Sequence, residues 1–521
     1  MGIYTFRELA RHPEPLAITL YERGEKAGIG MPYSPQMANR TMLANIASIE
    51  IPAVAGSYLA WLEALPEQRL RDYGLDPADL NSRQFTPRLL LGEYFRDELM
   101  SLLEEACSLG HRVQVCENTE VTDVIPQADG VLLFTADGVA QPKFDRVILA
   151  TGHVFPDEDA ASRTYFPSPW SGLIDADIPA GRIGVLGTSL SGIDAVMAVA
   201  TQHGQFTRTA DGDLRYDLET VGLKIVLMSW TGVLPEADFY CPIPYEPLKR
   251  FTENAAARIV QDGSGLDAAF ALFRHEITEA DPAYADRIRL ADLTADSFAD
   301  AYFADRLAAD PFRWAKANLY EVERNKIHQI TVAWRYAILR MHEVLGTLVP
   351  HLSDEDRDRF DHGLKTVFVD NYAAVPSESI RRLLALSDAG VLQVLALGLD
   401  YDLRRDGSQT LIAAAGKTYK FDVFIDARGQ RALTSKDLPF PTLRQTLLDA
   451  GQDIPEVDEN YSLVEPTSFA ANVSLGAIPY LMHDRPFVQG ITACAEIGAA
   501  MARTVRREAI AETRQRRKRW A

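Results

Sequence analysis

The chain has 521 residues, 47% hydrophobic and 24% charged, and its 53 Lys and Arg against 73 Asp and Glu leave a net charge of −20. At roughly 150 residues per domain, this length predicts three to four units with apolar content enough for a core. The composition excludes a disordered chain, and the acidic balance excludes a general phosphate-backbone binder, so no nucleic-acid partner is expected.

Cys107, Cys116, Cys241 and Cys494 are widely scattered, with no CxxC pair and no shared Cys/His spacing. Four reduced thiols and no metal site are expected. No secretory h-region follows Met1, and no stretch approaches the ~20 apolar residues that cross a bilayer. A cytoplasmic protein without a membrane partner is expected.

A helix is predicted over Ile3–His12, with Leu9 and Ala10 inward, then a strand Ile18–Tyr21 ending at Glu22. A loop rich in Gly, Pro, Asn and Ser leads to helical patterns over Gly56–Leu65 and Pro87–Leu109. Short strands follow at Val113–Val115, Val121–Ile125 and Val131–Phe134, then a more continuous one at Arg146–Ala150 that ends at Thr151-Gly152. Pro156–Pro179 reads as a linker. A second strand–turn–helix begins at Arg182, and the next strand, Leu223–Ser229, is apolar enough to be parallel and buried on both faces. Helical patterns dominate from 237 to 384, including one apolar stripe over Ile327–Val349 through Ile330, Val332, Trp334, Ile338, Met341 and Leu345. Strands resume at Val391–Leu397, Thr410–Ala414 and Phe421–Ile425. Arg485–Val505 reads as a turn and a helix, and Arg514–Arg519 as a frayed, solvated basic end, with binding of an anionic partner as the alternative.

Gly187-Thr-Ser189-Leu-Ser191-Gly192 follows a strand and opens a helix. A dinucleotide pyrophosphate needs small residues there, so that backbone N–H groups and the helix N-terminus can approach it. A tight βα turn with no ligand is the alternative for the same residues. At the chain start the helix, second strand and ribose acid Glu22 of such a unit are present, and Gly2 stands where the third glycine belongs, about 20 residues before that acid. The first strand and first two glycines are missing, so the sequence is read as beginning about a dozen residues late, with weak flavin binding expected otherwise. Gly28-Ile-Gly30-Met-Pro-Tyr33 lets backbone come close to a phosphate or ring. Asp145–Gly152 and Asp422–Gly429 match each other, each bringing a strand to a dinucleotide and then crossing to the neighbouring domain.

These residues resemble the FAD/NAD(P)-binding flavoprotein family of bacterial class-B-like monooxygenases, which includes the FAD-dependent urate hydroxylases. The segments that carry the resemblance are Tyr21-Glu22 with the Gly28–Tyr33 loop, Leu43-Ala-Asn45, Phe85-Thr-Pro-Arg88-Leu-Leu-Leu-Gly92-Glu-Tyr94, Ala150-Thr-Gly152-His153, Gly187–Asp194 and Arg485-Pro-Phe-Val-Gln-Gly490. The resemblance implies FAD held by Gly2, Glu22, Gly28, Gly30, Tyr33, Asn45, Val121 and Gly152, with Gly490 and its helix near the flavin ring. It implies a nicotinamide dinucleotide on Gly187, Ser189, Ser191 and Gly192, with Gly429 at the second crossover. In that family reduced flavin reacts with O2 to give a hydroperoxide that hydroxylates the substrate. Two departures stand out. Ser229-Trp-Thr-Gly232 lacks the arginines of relatives that prefer NADPH, so NADPH and NADH are both open, and Arg428 replaces the usual Thr with no physical account.

The expected fold is α/β, with two interleaved Rossmann-like (glutathione-reductase-type) dinucleotide-binding domains and an inserted helical cap. The FAD domain takes 1–155 and 436–505, the NAD(P) domain 156–236 and 385–435, the cap 237–384 and the tail 506–521. The expected activity is NAD(P)H-driven hydroxylation of a small polar or nitrogenous metabolite, with a non-oxygenating flavin oxidoreductase and a degenerate nucleotide-binding scaffold as alternatives. His153 reads as a turn histidine with a satisfied backbone bond or a flavin contact, and His483 as part of a capped loop or a ligand contact. Trp334, Arg335 and Tyr336 read as core and surface. No catalytic side chain and no oligomeric state can be read.

Overall fold

The computed structural model describes residues 1–155, 161–210, 212–467, 472–488 and 490–520, the side chains of 506–520 excepted. Its largest sheet has five parallel strands in the order Leu392–Ala396, Lys224–Ser229, Arg182–Leu186, Val423–Asp426 and Tyr165–Phe166. The first strand of the unit thus lies in the middle and the second and third to one side, which is the doubly wound arrangement. Lys224–Ser229 is flanked on both edges, with Ile225 paired to Ile183 and to Leu392. Its side chains alternate between two cores. Ile225 and Leu227 pack with the helices Leu190–His203 and Ser377–Asp388, while Val226 and Met228 pack with Leu186, Ile412, Phe421 and Phe424. The second core lies under an antiparallel meander, Tyr401–Asp406, Gln409–Ala414 and Lys417–Phe421. The sheet is glycine-thin where the meander presses on it, since a Cβ on Gly184 would lie 2.8 Å from the Phe421 ring.

The other parallel strands form two separate pairs, Ala17–Tyr21 with Arg112–Cys116 and Val147–Leu149 with Val473–Leu475. Among the described residues no strand joins these pairs. The helix Gly2–Ala10 packs against the helix Gly490–Trp520, and Gly498 allows the approach, since its Cβ would lie 2.8 Å from the Thr5 nitrogen.

Between strands Lys224–Ser229 and Leu392–Ala396 the chain is helical, from Glu253–Asp262 to Ser377–Asp388. Aromatic side chains build its core, with Phe273 set edge-on to Phe298 at 4.9 Å and Tyr284 stacked on Trp334 at 4.2 Å. Phe487, just before the helix Gly490–Trp520, enters this core against Phe360, Phe368, Tyr372 and His342. The loop before Glu253 is pinned by one carboxylate. Glu276 is 3% exposed and accepts N–H bonds from Lys249, Arg250 and Phe251 at 3.1, 2.6 and 3.1 Å. Glu276→Ala leaves three amides without an acceptor, and a loss of about 3 kcal/mol, or roughly 10 °C in Tm, is expected from thermal unfolding.

Four expectations are corrected. The apolar stripe of Ile327–Val349 is two helices, Pro311–His328 and Ala333–Leu348, because Gln329 takes a left-handed φ of 54° and the Ile330 N–H closes the end on Asn325. Ile327 and Ile330 are consequently exposed. The linker 156–179, where described, is not a free connection, since Tyr165–Phe166 pairs with Phe424 and Ile425 at the sheet edge; residues 156–160 lie outside the described residues. Arg335 is buried rather than at the surface, 2.6 Å from Glu236. The hairpin Gly204–Arg208 with Leu214–Leu218 and the outer meander strands carry polar residues at alternate positions and were not expected.

Candidate dinucleotide sites

The central strand Arg182–Leu186 ends in a turn held by the Gly187 N–H, which donates to the Met228 carbonyl at 2.7 Å. Both glycines of this turn serve the chain's own packing: a Cβ on Gly187 would lie 2.5 Å from the Ala427 oxygen, and one on Gly192 only 2.0 Å from the Gly187 oxygen. The close approach brings the N-terminus of the helix Leu190–His203 directly under the strand end. Ser189, its N-cap, is exposed and makes no side-chain cap bond, and Ser191 is half-buried in the first turn. Free first-turn amides and the positive end of the helix suit a pyrophosphate. Beside them, the Ser229 hydroxyl accepts the Gly232 N–H at 2.9 Å, and Trp230 is half exposed. Thr231, Val233, Val394, Arg306 and Trp314 line a cavity of about 260 Å³ where the sheet edge meets the helical insert.

That cavity is backed by buried charge. Glu236 accepts from Trp314 Nε1 at 2.9 Å and pairs with Arg335, while Arg306 bonds Asp370 at 2.5 Å and the Leu234 carbonyl at 2.6 Å. Burial pushes the Glu236 carboxyl up, but the Arg335 and Arg306 guanidiniums outweigh it and hold it below its usual range. A depressed native value contributes stability that is present above the unfolded carboxylate range, near ~4.3, and is lost as pH falls through the native value. Glu236→Gln is therefore expected to lower Tm near neutral pH and to flatten its decline in acid, read from Tm measured against pH.

On the other side, Gly2 opens the first helix with its Cβ position 3.7 Å from Ala150. Glu22 follows the strand Ala17–Tyr21, and its Oε1 accepts the Gly24 N–H at 2.8 Å. Gly28 is packed on the helix Arg88–Ser108, since a Cβ would lie 2.9 Å from the Leu99 side chain, and Gly30 (φ 80°) leads into the turn Met31–Tyr33. Tyr33 lies 5.7 Å from Phe95, ring to ring, and burial pushes its hydroxyl up, with Cys494 beside it. Val121 starts the strand Val121–Gln127 and packs half-buried against the core that Tyr21 also borders. In contrast, among the described residues Cβ positions on Gly152, Gly429 and Gly490 meet no atom within 4 Å. Among the described residues, two buried polar atoms of the quoted segments have no hydrogen-bond partner, Asn45 Oδ1 and His153 Nδ1. Open glycines, orphaned polar atoms and helix N-termini at Gly2 and Gly490 together fit a flavin dinucleotide.

The two crossovers meet. Gln430 Oε1, one residue past Gly429, accepts the Val154 N–H at 3.2 Å. Gly187 rests on Ala427, so a continuous line of contacts runs from Gly187 through the second crossover to the segment after Gly152. Sequence reasoning matched the crossovers but missed Gln430, which carries no motif. It also missed the buried pair Arg88 and Asp194, although each falls in a quoted segment. Arg428 now has an account: its guanidinium forks its own strand-end carboxylate, Asp426, at 2.9 and 2.6 Å. His153 is corrected, since its Nδ1 makes no backbone bond; burial pushes its pKa down and the Gln430 side chain partly offsets this. His483 Nε2 lies 3.0 Å from the Leu433 carbonyl, in keeping with a capped loop.

Residues 1–154 match the family model of FAD-NAD(P)-binding domains, and residues 252–372 that of the YdhS-like middle domain. The protein YdhS of Escherichia coli (strain K12) is 51% identical over 508 residues, 97% of this chain and 95% of that one. The chain belongs to the YdhS-like family. This YdhS-like protein thus has a FAD-NAD(P)-binding domain in an α/β fold with a parallel Rossmann-type sheet, as expected from its sequence. The middle-domain match covers the helical stretch from Thr252, the N-cap of its first helix, to Tyr372. Among solved structures, the ornithine N-hydroxylase of Kutzneria sp. 744 is 15% identical with a TM-score of 0.48, covering 97% of each chain. The cadaverine monooxygenase of Erwinia amylovora is 12% identical with a TM-score of 0.47, covering 97% of this chain and 92% of that one. No described helix is long and apolar enough to cross a membrane.

Proposed function

We propose that this protein is a FAD-dependent, NAD(P)H-driven monooxygenase that hydroxylates a small polar or nitrogenous metabolite with O2. The single observation that carries the reading is the meeting of the two crossovers at Gln430 and Val154, with open glycines on either side. In this reading Gly2, Glu22, Gly28, Gly30, Tyr33, Asn45, Val121, Gly152 and Gly490 hold FAD. Gly187, Ser189, Ser191, Gly192 and Gly429 hold the coenzyme, between a flavin domain of 1–155 with 436–505 and a coenzyme domain of 156–236 with 385–435.

When bound, flavin supplies acceptance of two electrons from the reduced nicotinamide and their delivery to O2. The rest falls to the protein. Glu22 keeps Oε2 for a ribose hydroxyl while Oε1 fixes its own turn. Asn45 Oδ1 offers an acceptor within buried surroundings. Burial favours the neutral His153 ring, which can then give or take one proton-sharing bond at Nδ1. The helix N-terminus at Gly490 favours negative charge nearby. Phe487, just before the helix Gly490–Trp520, ties that helix to the core of the helical insert.

The substrate class rests on the family resemblance and is tested by oxygen stoichiometry. Purified holoenzyme is given NADPH or NADH with a panel of small amines, amino acids and purines. A member of the panel that lowers peroxide release per coenzyme oxidised, and itself gains one oxygen by mass, supports the reading. Peroxide equal to coenzyme consumed with every member favours the non-oxygenating oxidoreductase instead.

A further inference from the structure

Arg88, the first residue of the helix Arg88–Ser108, touches a segment of each proposed dinucleotide site. Its Nε donates to the Leu43 carbonyl at 3.0 Å, two residues before Asn45. Its Nη1 lies 2.7 Å from Asp194 Oδ2, and the two side chains are 11% and 7% exposed. Asp194 sits in the second turn of the helix whose first turn carries Ser189 and Ser191. The guanidinium carbon also lies 5.6 Å from the centre of the Trp170 ring. From there Trp170 and Phe155, then Phe155 and His153, continue at 5.9 Å each back to the turn after Gly152.

Such a pair is a poor source of net stability, because two charges have been taken out of water. Burial pushes the Asp194 carboxyl above its usual range even with Arg88 beside it. What the pair supplies is register. Interfaces between domains are mobile unless something fixes them, and a buried guanidinium held to the Leu43 carbonyl and 2.7 Å from Asp194 fixes the distance between the two segments. We propose that Arg88 and Asp194 are positioning residues that set the coenzyme helix against the flavin loop, so that hydride transfer depends on their contact. This rests on the two-dinucleotide reading above. In the step concerned, a hydride carries two electrons from the reduced nicotinamide, oxidised to NAD(P)+, to the flavin, which is reduced.

The test is anaerobic stopped-flow reduction of flavin-loaded wild type, Asp194→Asn and the double variant Arg88→Met/Asp194→Leu. The double variant removes both buried charges, so it remains foldable where the single one leaves an unpaired guanidinium. Misplacement by about 1 Å costs ~100-fold, and a fall of at least roughly 30-fold in the limiting rate of reduction by coenzyme is expected. Flavin content and half-saturating coenzyme should stay within about 3-fold of wild type, and reduction by dithionite, which needs no domain register, should not change. A limiting rate within about 3-fold of wild type in the loaded double variant overturns the proposal. Wild type that dithionite reduces but neither coenzyme does would instead overturn the reading beneath it.

Discussion

Ser189→Asp should stabilise the helix Leu190–His203 and sharply weaken coenzyme binding. Ser189 is an exposed N-cap whose side chain makes no cap bond. A carboxylate there complements the helix dipole and the free amides, a gain of about 0.3–1 kcal/mol in folding. The same charge repels a pyrophosphate on those amides. At about 4 Å and an effective dielectric near 20, two unit charges interact by about 4 kcal/mol, so a rise in KM of at least roughly 100-fold is expected. Ser189→Asn offers a neutral cap of similar shape and should keep KM within a few-fold. Opposite signs on Tm and affinity separate a binding effect from damage to the fold. Gly187 is a worse place to probe, because any side chain there meets the Ala427 backbone at 2.5 Å and disturbs the turn itself. Unchanged KM in Ser189→Asp would remove the coenzyme from this turn.

Gly152→Leu should give a folded protein without flavin. Gly152 has φ 74°, so a side chain costs about 1–2 kcal/mol in backbone strain. Among the described residues a Cβ there meets nothing within 4 Å, so no clash with them adds to that cost. Space that the chain leaves open at the end of the strand Val147–Leu149 is the space the proposed FAD needs. Flavin content below about a tenth of wild type is expected, while Tm of the apoproteins differs by only a few degrees. The comparison is made by visible absorbance of the purified proteins and thermal unfolding after flavin removal. Full flavin content in Gly152→Leu would place the cofactor elsewhere.

The elements that could be read from the sequence are those whose local pattern and tertiary role agree. Leu223–Ser229 reads as buried on both faces because both faces meet a core, and the structure pairs it on both edges. The two crossovers were visible because each repeats Asp, an apolar strand and a terminal glycine. The meander strand Tyr401–Asp406 escaped notice since three of its six residues are charged on an open face, leaving only Tyr401 and Leu403 to mark the covered side. The break at Gln329 escaped because apolar residues continue across it, and only a left-handed backbone at a non-glycine position separates the two helices. At the site, the glycines were legible but their partners were not. Gly187 and Gly192 serve the chain's own close packing, whereas Gly152 and Gly490 face open space, and spacing cannot distinguish these cases. Arg88 and Asp194 are distant in sequence and become a pair only when the helices that carry them are brought together.

The central claim is that electrons pass from a nicotinamide on the Gly187–Gly192 turn to a flavin beside Gly152. Its most direct test is the visible flavin absorbance of the purified, FAD-loaded protein under anaerobic conditions, before and after one equivalent of NADPH or NADH. Bleaching by at least one of the two, with return of the colour on admitting air, is the predicted result. A protein that binds FAD and keeps its colour in excess of both coenzymes would contradict the account.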